Sequence, residues 1–341
     1  MKGWTPSAQQ GLEEADELVG QVIDDLAVTE LLGVGASGAA YRAVEMAADR
    51  RIVALKVLKR AEQELRVKLG FHGHPFARDL KVSQVVKSSQ VARCYRIGET
   101  VDGRYYSVME LVDGESLDSE LMYRQSLPWQ EAVTLMIEVA KGVAAFHRHN
   151  VVLRDVSPAN NIVKSQRNGD RRAKLIDFST AMFGHESDKE NTELFKTALG
   201  TPQYMAPEQA LGQGSTRRSD VFSLGAVLYQ MLAGRTVLSL KRATAHACME
   251  YLRAGKTIPS IPLKELVSDT VPPGLVRVVD QCLAVDPVRR PPDADGFAAE
   301  IRRFLSKDET KKRSSASRIG DLVAGLLGRK KTVKSRFVRH D

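Results

Sequence analysis

Short stretches with a two-residue hydrophobic period alternate along this chain with longer stretches of helical period. Leu26-Ala27-Val28-Thr29-Glu30 alternates apolar and polar side chains, which predicts a strand running into a glycine-rich segment. Tyr41-Arg42-Ala43-Val44 continues as strand, and Ile52-Val53-Ala54-Leu55-Lys56-Val57-Leu58 is an apolar strand with one lysine near its middle. Residues 60–78, with Gly70, Gly73 and Pro75, read as a long connection before a strand from Val91 to Ile97. Tyr105 to Leu111 leaves a strand for a turn at Gly114 and then a helix. The next helix starts near Pro128, carries Val133, Met136, Ile137, Ala140 and Val143, and ends at Arg148-His149-Asn150. From Ser219 to Gly234 a helix is apolar nearly all round, the mark of a buried one. Ser7 and Gln10 form a capping box that predicts a short amphipathic helix over 7–19.

Composition narrows the class. The chain has 341 residues, 43% hydrophobic and 27% charged, a globular mix longer than a usual single domain. Cys94, Cys248 and Cys282 are scattered and read as reduced structural thiols, offering neither a disulfide framework nor a zinc spacing. His72 and His74 lack a Cys or acid partner nearby and read as solvated loop residues rather than metal ligands. Met1-Lys2-Gly3-Trp4-Thr5-Pro6 has no apolar secretory core, and no apolar run nears the roughly 18 residues of a membrane span. A cytoplasmic location is therefore expected.

The chemistry gathers in a few loops. Leu153-Arg154-Asp155-Val156-Ser157-Pro158-Ala159-Asn160 sets an acid and an amide five residues apart. Asp155 suits the acceptance or orientation of a hydroxyl proton, and the Asn160 oxygen is a hard ligand for Mg²⁺ beside a phosphate. Asp177 follows the apolar Leu175-Ile176 at a strand end, where loops carry chemistry. Two acids and an amide suffice for metal-assisted phosphoryl transfer. Gly33-Val34-Gly35-Ala36-Ser37-Gly38 lies between two strands; its glycines let the backbone pass close over phosphates and offer N–H groups. A dinucleotide-binding turn would open a helix instead. The Lys56 ammonium, drawn out of water by apolar neighbours, needs an anion.

In this order and spacing the motifs resemble those of the Ser/Thr protein kinases, the bacterial members among them, over residues 26–305. The resemblance implies an α+β bilobal fold, with a sheet-rich lobe over 26–114 and a larger helical lobe over 115–305, flanked by an extension (1–25) and a tail (306–341). It implies ATP and Mg²⁺, and transfer of the γ-phosphoryl group to Ser or Thr of protein substrates and of the chain's own activation loop. Asp155 would be the base or hydroxyl-orienter, Asn160 and Asp177 the Mg²⁺ ligands, and Lys56 the clamp on the α/β-phosphates. Gly33, Gly35 and Gly38 would form the phosphate lid, Ala40 and Ala54 the adenine wall, and Met109 the back of the pocket. Backbone groups of Glu110 to Val112 would bond adenine, and Asp113 or Ser116 the ribose. Asp79 stands where the family places the helix acid that pairs with the lysine.

Gly200-Thr201-Pro202-Gln203-Tyr204-Met205-Ala206-Pro207-Glu208-Gln209 resembles the substrate-binding turn and A-P-E motif, which small-molecule kinases of related fold lack. By the same resemblance Asp220 braces the catalytic loop and Arg290 pairs with Glu208. Arg154 would receive a phosphorylated Thr197, or Thr192 as second choice.

The departures cluster at the chemistry: Leu153 replaces a His, Ser179 a Gly, Asp79 a Glu, Ala40 a Val and Ser157 the loop Lys aimed at the γ-phosphate. Ser157 matters most, since losing one preorganised donor costs about 10² to 10³ in rate. The alternative reading is a nucleotide-binding pseudokinase acting as scaffold or regulator.

The net charge of +8 sits almost wholly in residues 307–341, with eleven Lys and Arg against four Asp and Glu. Ile319, Leu322, Val323, Leu326 and Leu327 share one helical face between basic clusters, although Gly320, Gly325 and Gly328 lower helix propensity. Such a segment fits an anionic membrane surface or a docking site on a partner or on the lobes themselves. Nucleic acid would explain the charge but not the stripe.

Overall fold

The computed structural model describes residues 17–35, 37–47, 49–68, 73–166, 169–184, 201–238 and 261–306. Strands β1 (Val22–Ile23), β2 (Leu26–Val34), β3 (Gly38–Glu45) and β4 (Ile52–Leu58) precede helices α1 (Arg60–Lys68) and α2 (Ala77–Val85), then β5 (Cys94–Glu99) and β6 (Tyr105–Glu110). These six strands form one antiparallel sheet in the order β1-β2-β3-β4-β6-β5. Alternation assigns its faces: Val53, Leu55 and Val57 join Leu26, Tyr41, Ala43, Tyr106 and Val108 in one core. Ala54 and Lys56 fall on the other face and stay half-buried, with Ala40 paired to Lys56 across the β3–β4 register.

The helical part is built on two long helices. A turn at Gly114 leads from β6 into β7 (Glu115–Ser116), α3 (Leu117–Arg124) and α4 (Trp129–Arg148). Gly114 has φ of +147°, and a Cβ there would stand 2.4 Å from the Val163 carbonyl oxygen, so this turn admits glycine alone. Strands β8 (Val151–Val152), β9 (Asn161–Ser165), β10 (Arg171–Leu175) and β11 (Met182–Phe183) pair as β10-β9-β7 and β11-β8. They hold up the loop of Asp155 and the loop of Asp177. Then come α5 (Pro207–Ala210), α6 (Arg217–Ala233), α7 (Leu263–Leu266), α8 (Pro273–Cys282) and α9 over 294–306. Thr216 caps α6 reciprocally with Ser219, and Gly234 ends it in the left-handed region at φ +71°. Thirteen of its residues are buried, because α6 packs against α4 and α8 at the centre of this core.

Several expectations need correction. Residues 60–68 are helical rather than a loop. No side chain of α1 is buried, so hydrophobic period gave no sign of it. What supports it is polar: Glu62 and Arg66 pair at 2.9 Å one turn apart, Arg60 reaches Asp102 at 2.7 Å, and Gln63 donates to the Gly103 carbonyl at 2.7 Å. The strand expected from Val91 begins at Cys94, since Gln90 to Ala92 turn aside to bond Leu175 of β10. His74 is half-buried, not solvated: its Nε2 lies 2.8 Å from the Gly98 carbonyl, and its Nδ1 accepts the Phe76 N–H. His72 lies outside the described residues, as does most of the helix expected over 7–19, whose residues 17–19 form a turn.

Candidate active site

Between the open face of the large sheet and the two small sheets lies a cavity of about 650 Å³. Gly33, Gly35, Gly38, Ala40, Ala54, Lys56, Met109, Glu110, Val112, Asp155, Asn160 and Asp177 all line it. Ile162 and Ile176 supply apolar lining from the helical side, and Ser116 lies at the wall. The three glycines differ in their constraint. A Cβ on Gly38 would stand 2.3 Å from the Val57 carbonyl oxygen, so close strand approach excludes a side chain there. Among the described residues a Cβ on Gly33 would meet nothing within 4 Å and one on Gly35 only the Gly38 oxygen at 3.7 Å, so packing does not demand glycine at either position.

The acids are placed by their loops. Lys56 Nζ lies 2.5 Å from Asp177 Oδ2, while Asp177 Oδ1 accepts the Ser179 N–H at 3.2 Å. Burial opposes the Lys56 charge, but the carboxylates of Asp177 and Asp79 outweigh it and hold the ammonium above its ordinary pKa. Burial likewise opposes the Asp177 charge, and Lys56 overcomes it, leaving that carboxyl below its usual value. Asp155 receives Asn160 Nδ2 at 3.0 Å and the Thr201 backbone N–H at 3.1 Å. Burial, then the Asp177 charge, raise the Asp155 pKa, which strengthens it as a base.

The Asp155 loop is braced from below. Asp220, fully buried, accepts the Leu153 N–H and the Arg154 N–H, each at 2.8 Å, and lies 2.9 Å from His147 Nε2. Because His147 Nδ1 accepts the Ala294 N–H at 3.2 Å, its proton sits on Nε2 and is donated to Asp220. These bonds hold Arg154 at φ +68°, a strained setting for a side chain of its size. Arg290 and Glu208 form a buried fork, Nη1 to Oε1 at 2.7 Å and Nη2 to Oε2 at 2.8 Å. The adjoining Gln209 donates to the Arg154 carbonyl at 3.2 Å.

Three expected site residues lie away from the cavity. Asp113 is exposed and pairs with Lys164 at 2.6 Å, leaving Ser116 as the wall residue nearest the ribose role. Asp79 is buried behind Lys56 and makes no ion pair with it; its Oδ2 has no hydrogen-bond partner among the described residues. Burial and the Asp177 charge raise the Asp79 pKa to about 7. Ser157 is fully buried, its Oγ without a partner among the described residues, and it is not part of the cavity wall. Leu153 is buried in the same core as Phe178. Thr192 and Thr197 lie outside the described residues; Arg154 Nε donates to the Thr180 carbonyl at 2.6 Å.

The donor set suits a hard cation. Asn160 spends its amide nitrogen on Asp155, so its oxygen is left for a metal, with the Asp177 carboxylate beside the same cavity. Sequence reasoning missed Glu62, Leu65 and Arg66, which also line the cavity. The one signal was the four-residue spacing of Glu62 and Arg66. It also missed the Thr201 amide on Asp155 and the His147 bond to Asp220, contacts between residues 46 and 73 positions apart.

Comparison with known proteins points to one family. The family described as protein kinase domain matches residues 26–301. The chain is 28% identical over 318 residues to serine/threonine-protein kinase pkn3 of Myxococcus xanthus, covering 92% of this chain and 56% of that protein. It is 26% identical over 283 residues to serine/threonine-protein kinase PrkC of Bacillus subtilis, 82% of this chain and 40% of that protein. With serine/threonine-protein kinase PknA of Corynebacterium glutamicum it shares 29% identity over 314 residues, 90% of this chain and 61% of that protein. The chain thus spans about half the length of these relatives. The chain belongs to the protein kinase domain family.

Proposed function

We propose that this protein is an ATP- and Mg²⁺-dependent kinase that transfers the γ-phosphoryl group to Ser or Thr of protein substrates and of its own activation loop. The observation that carries the reading is the convergence of Lys56, Asp155, Asn160 and Asp177 on one cavity roofed by Gly33, Gly35 and Gly38. Asp155, made more basic by burial, orients the hydroxyl and takes its proton. Lys56 gives the α/β-phosphates a cation, and Asn160 and Asp177 offer oxygens to Mg²⁺, which when bound neutralises charge on the β- and γ-phosphates. Met109, Ala40 and Ala54 form the adenine side, with backbone groups of Glu110 to Val112 facing it.

Purified protein with labelled ATP and Mg²⁺, alone and with a generic Ser/Thr substrate, is expected to transfer label, and Asp155→Asn is expected to lose transfer while still binding nucleotide. Equal, background transfer from both, with ATP still raising the melting temperature, would make the protein a nucleotide-binding pseudokinase. The basic tail over 307–341 is read as a contact for an anionic membrane surface or a docking partner. No helix among the described residues is long and apolar enough to cross a membrane. Truncation after Ser306 is expected to abolish co-sedimentation with anionic vesicles. Unchanged sedimentation together with altered kinase activity would make the tail an intramolecular regulator.

A further inference from the structure

The cavity faces its phosphates with few cations. Three carboxylates line it, those of Glu62, Asp155 and Asp177, against two cations among the described residues, Lys56 and Arg66. Lys56 is already engaged by Asp177 at 2.5 Å. The lysine that the family aims from the catalytic loop at the γ-phosphate is absent, and Ser157 in its place is wholly buried.

Arg66 is held in a way that fits the missing role. Helix α1 is fastened to the β5–β6 turn by Arg60 on Asp102 and by Gln63 on the Gly103 carbonyl. That fastening leaves Glu62, Leu65 and Arg66, neighbours on a helix at spacings of three and four, to form its cavity face. The Arg66 side chain is only 16% exposed. Glu62 takes it by Nε, at 2.9 Å, and its two Nη groups have no partner among the described residues. A guanidinium gripped at its elbow presents its fork outward, the geometry that binds phosphate oxygens in pairs.

The geometry points to Arg66 as a γ-phosphate-binding residue, steadied by Glu62, that supplies from α1 the positive charge Ser157 cannot supply from the catalytic loop. This rests on the phosphoryl-transfer reading of the cavity. In the transfer, the substrate hydroxyl oxygen bonds to the γ-phosphorus as the bond from that phosphorus to the β–γ bridging oxygen breaks. The hydroxyl proton passes to Asp155, and ADP departs with the electron pair. Arg66 exchanges no proton; it neutralises charge on the γ-phosphoryl oxygens as they move from ADP to acceptor. Glu62 is a positioning residue, since it acts through Arg66.

The test measures ATP and ADP affinity by calorimetry in the presence of Mg²⁺, on the full chain, for wild type, Arg66→Gln, Arg66→Lys, Glu62→Gln and Lys68→Gln. Lys68 is exposed on the same helix and absent from the cavity wall, so its variant removes an equal charge without the contact. Arg66→Gln is expected to weaken ATP binding about tenfold, leave ADP within about twofold, and lower the transfer rate by about 10². Arg66→Lys recovers part of the ATP preference, Glu62→Gln loses part, and Lys68→Gln matches wild type. Equal weakening of ATP and ADP, an unchanged ratio, or the same loss in Lys68→Gln overturns the assignment. A lower rate at the wild-type ATP to ADP ratio also overturns it, and moves Arg66 to the activation loop or the protein substrate. Melting temperatures within about 2 °C of wild type verify that each variant is folded. Failure of the kinase reading itself shows separately, as wild-type transfer no higher than that of Asp155→Asn.

Discussion

Replacing Asp220 by Asn changes one atom, yet it should uncouple the catalytic loop from the protein beneath it. Asp220 Oδ2 accepts two bonds, from the Leu153 N–H at 2.8 Å and from His147 Nε2 at 2.9 Å, and Oδ1 accepts the Arg154 N–H at 2.8 Å. Asparagine offers one oxygen and one NH₂. With the oxygen in the doubly used position, the NH₂ is turned onto the Arg154 N–H, donor against donor. The loss is one charge-assisted bond, about 1.5–3 kcal/mol, plus the cost of a buried unsatisfied donor, about 1–3 kcal/mol. A total of about 2.5–6 kcal/mol lowers the melting temperature by roughly 5–24 °C for a domain of this size. The amide released is the one that holds Arg154 at φ +68°, so relaxation there swings the neighbouring Asp155. Transfer should fall about 10²-fold, as for a displacement near 1 Å. Lys56 and the glycine segment are untouched, so KM for ATP should move less than about threefold. Thermal unfolding and steady-state transfer of label read both effects. A variant that melts within about 2 °C of wild type, or keeps its kcat, would refute this account of the brace.

Arg290→Met should cost about 3–5 kcal/mol by stranding the buried Glu208 carboxylate, and adding Glu208→Met should recover much of it; melting of the two variants checks this. Asp79→Glu lengthens a buried carboxyl that falls short of Lys56, and should raise the transfer rate by drawing the ammonium from Asp177; an unchanged rate would show that the helix acid plays no part. Arg124 grips Glu131 by two bonds of 2.6 and 2.8 Å and holds its carboxyl below the usual range, with burial opposing. A lowered carboxylate pKa stabilises above the unfolded value and is lost as pH falls through the folded one, so Glu131→Gln should melt lower than wild type at pH 7, with the gap closing below about pH 4. Mass spectrometry of active protein should find phosphate on Thr197 or Thr192.

Chemistry that is local in the chain is legible in the amino-acid sequence by itself. The Asp155 to Asn160 spacing, the glycine segment, the apolar strand with Lys56 at its middle, and the buried helix ended by Gly234 all rest on backbone rules acting over ten residues or so. Resemblance extends that reading to Asp220, Arg290 and Glu208. Contacts between distant segments are beyond it. Whether Asp113 faces a cavity or a lysine depends on where β9 brings Lys164, and whether Asp79 reaches Lys56 depends on how α2 packs against β5. Ser157 reads as a polar loop residue and is in fact enclosed, because its loop is pulled down on Asp220 from α6. Helix α1 is the largest omission: with no buried side chain it leaves no hydrophobic period, and it is held by an ion pair and a side-chain hydrogen bond to a turn some forty residues away. A sequence displays its apolar period because burial acts residue by residue; it does not display which charges meet, because that is decided by tertiary packing.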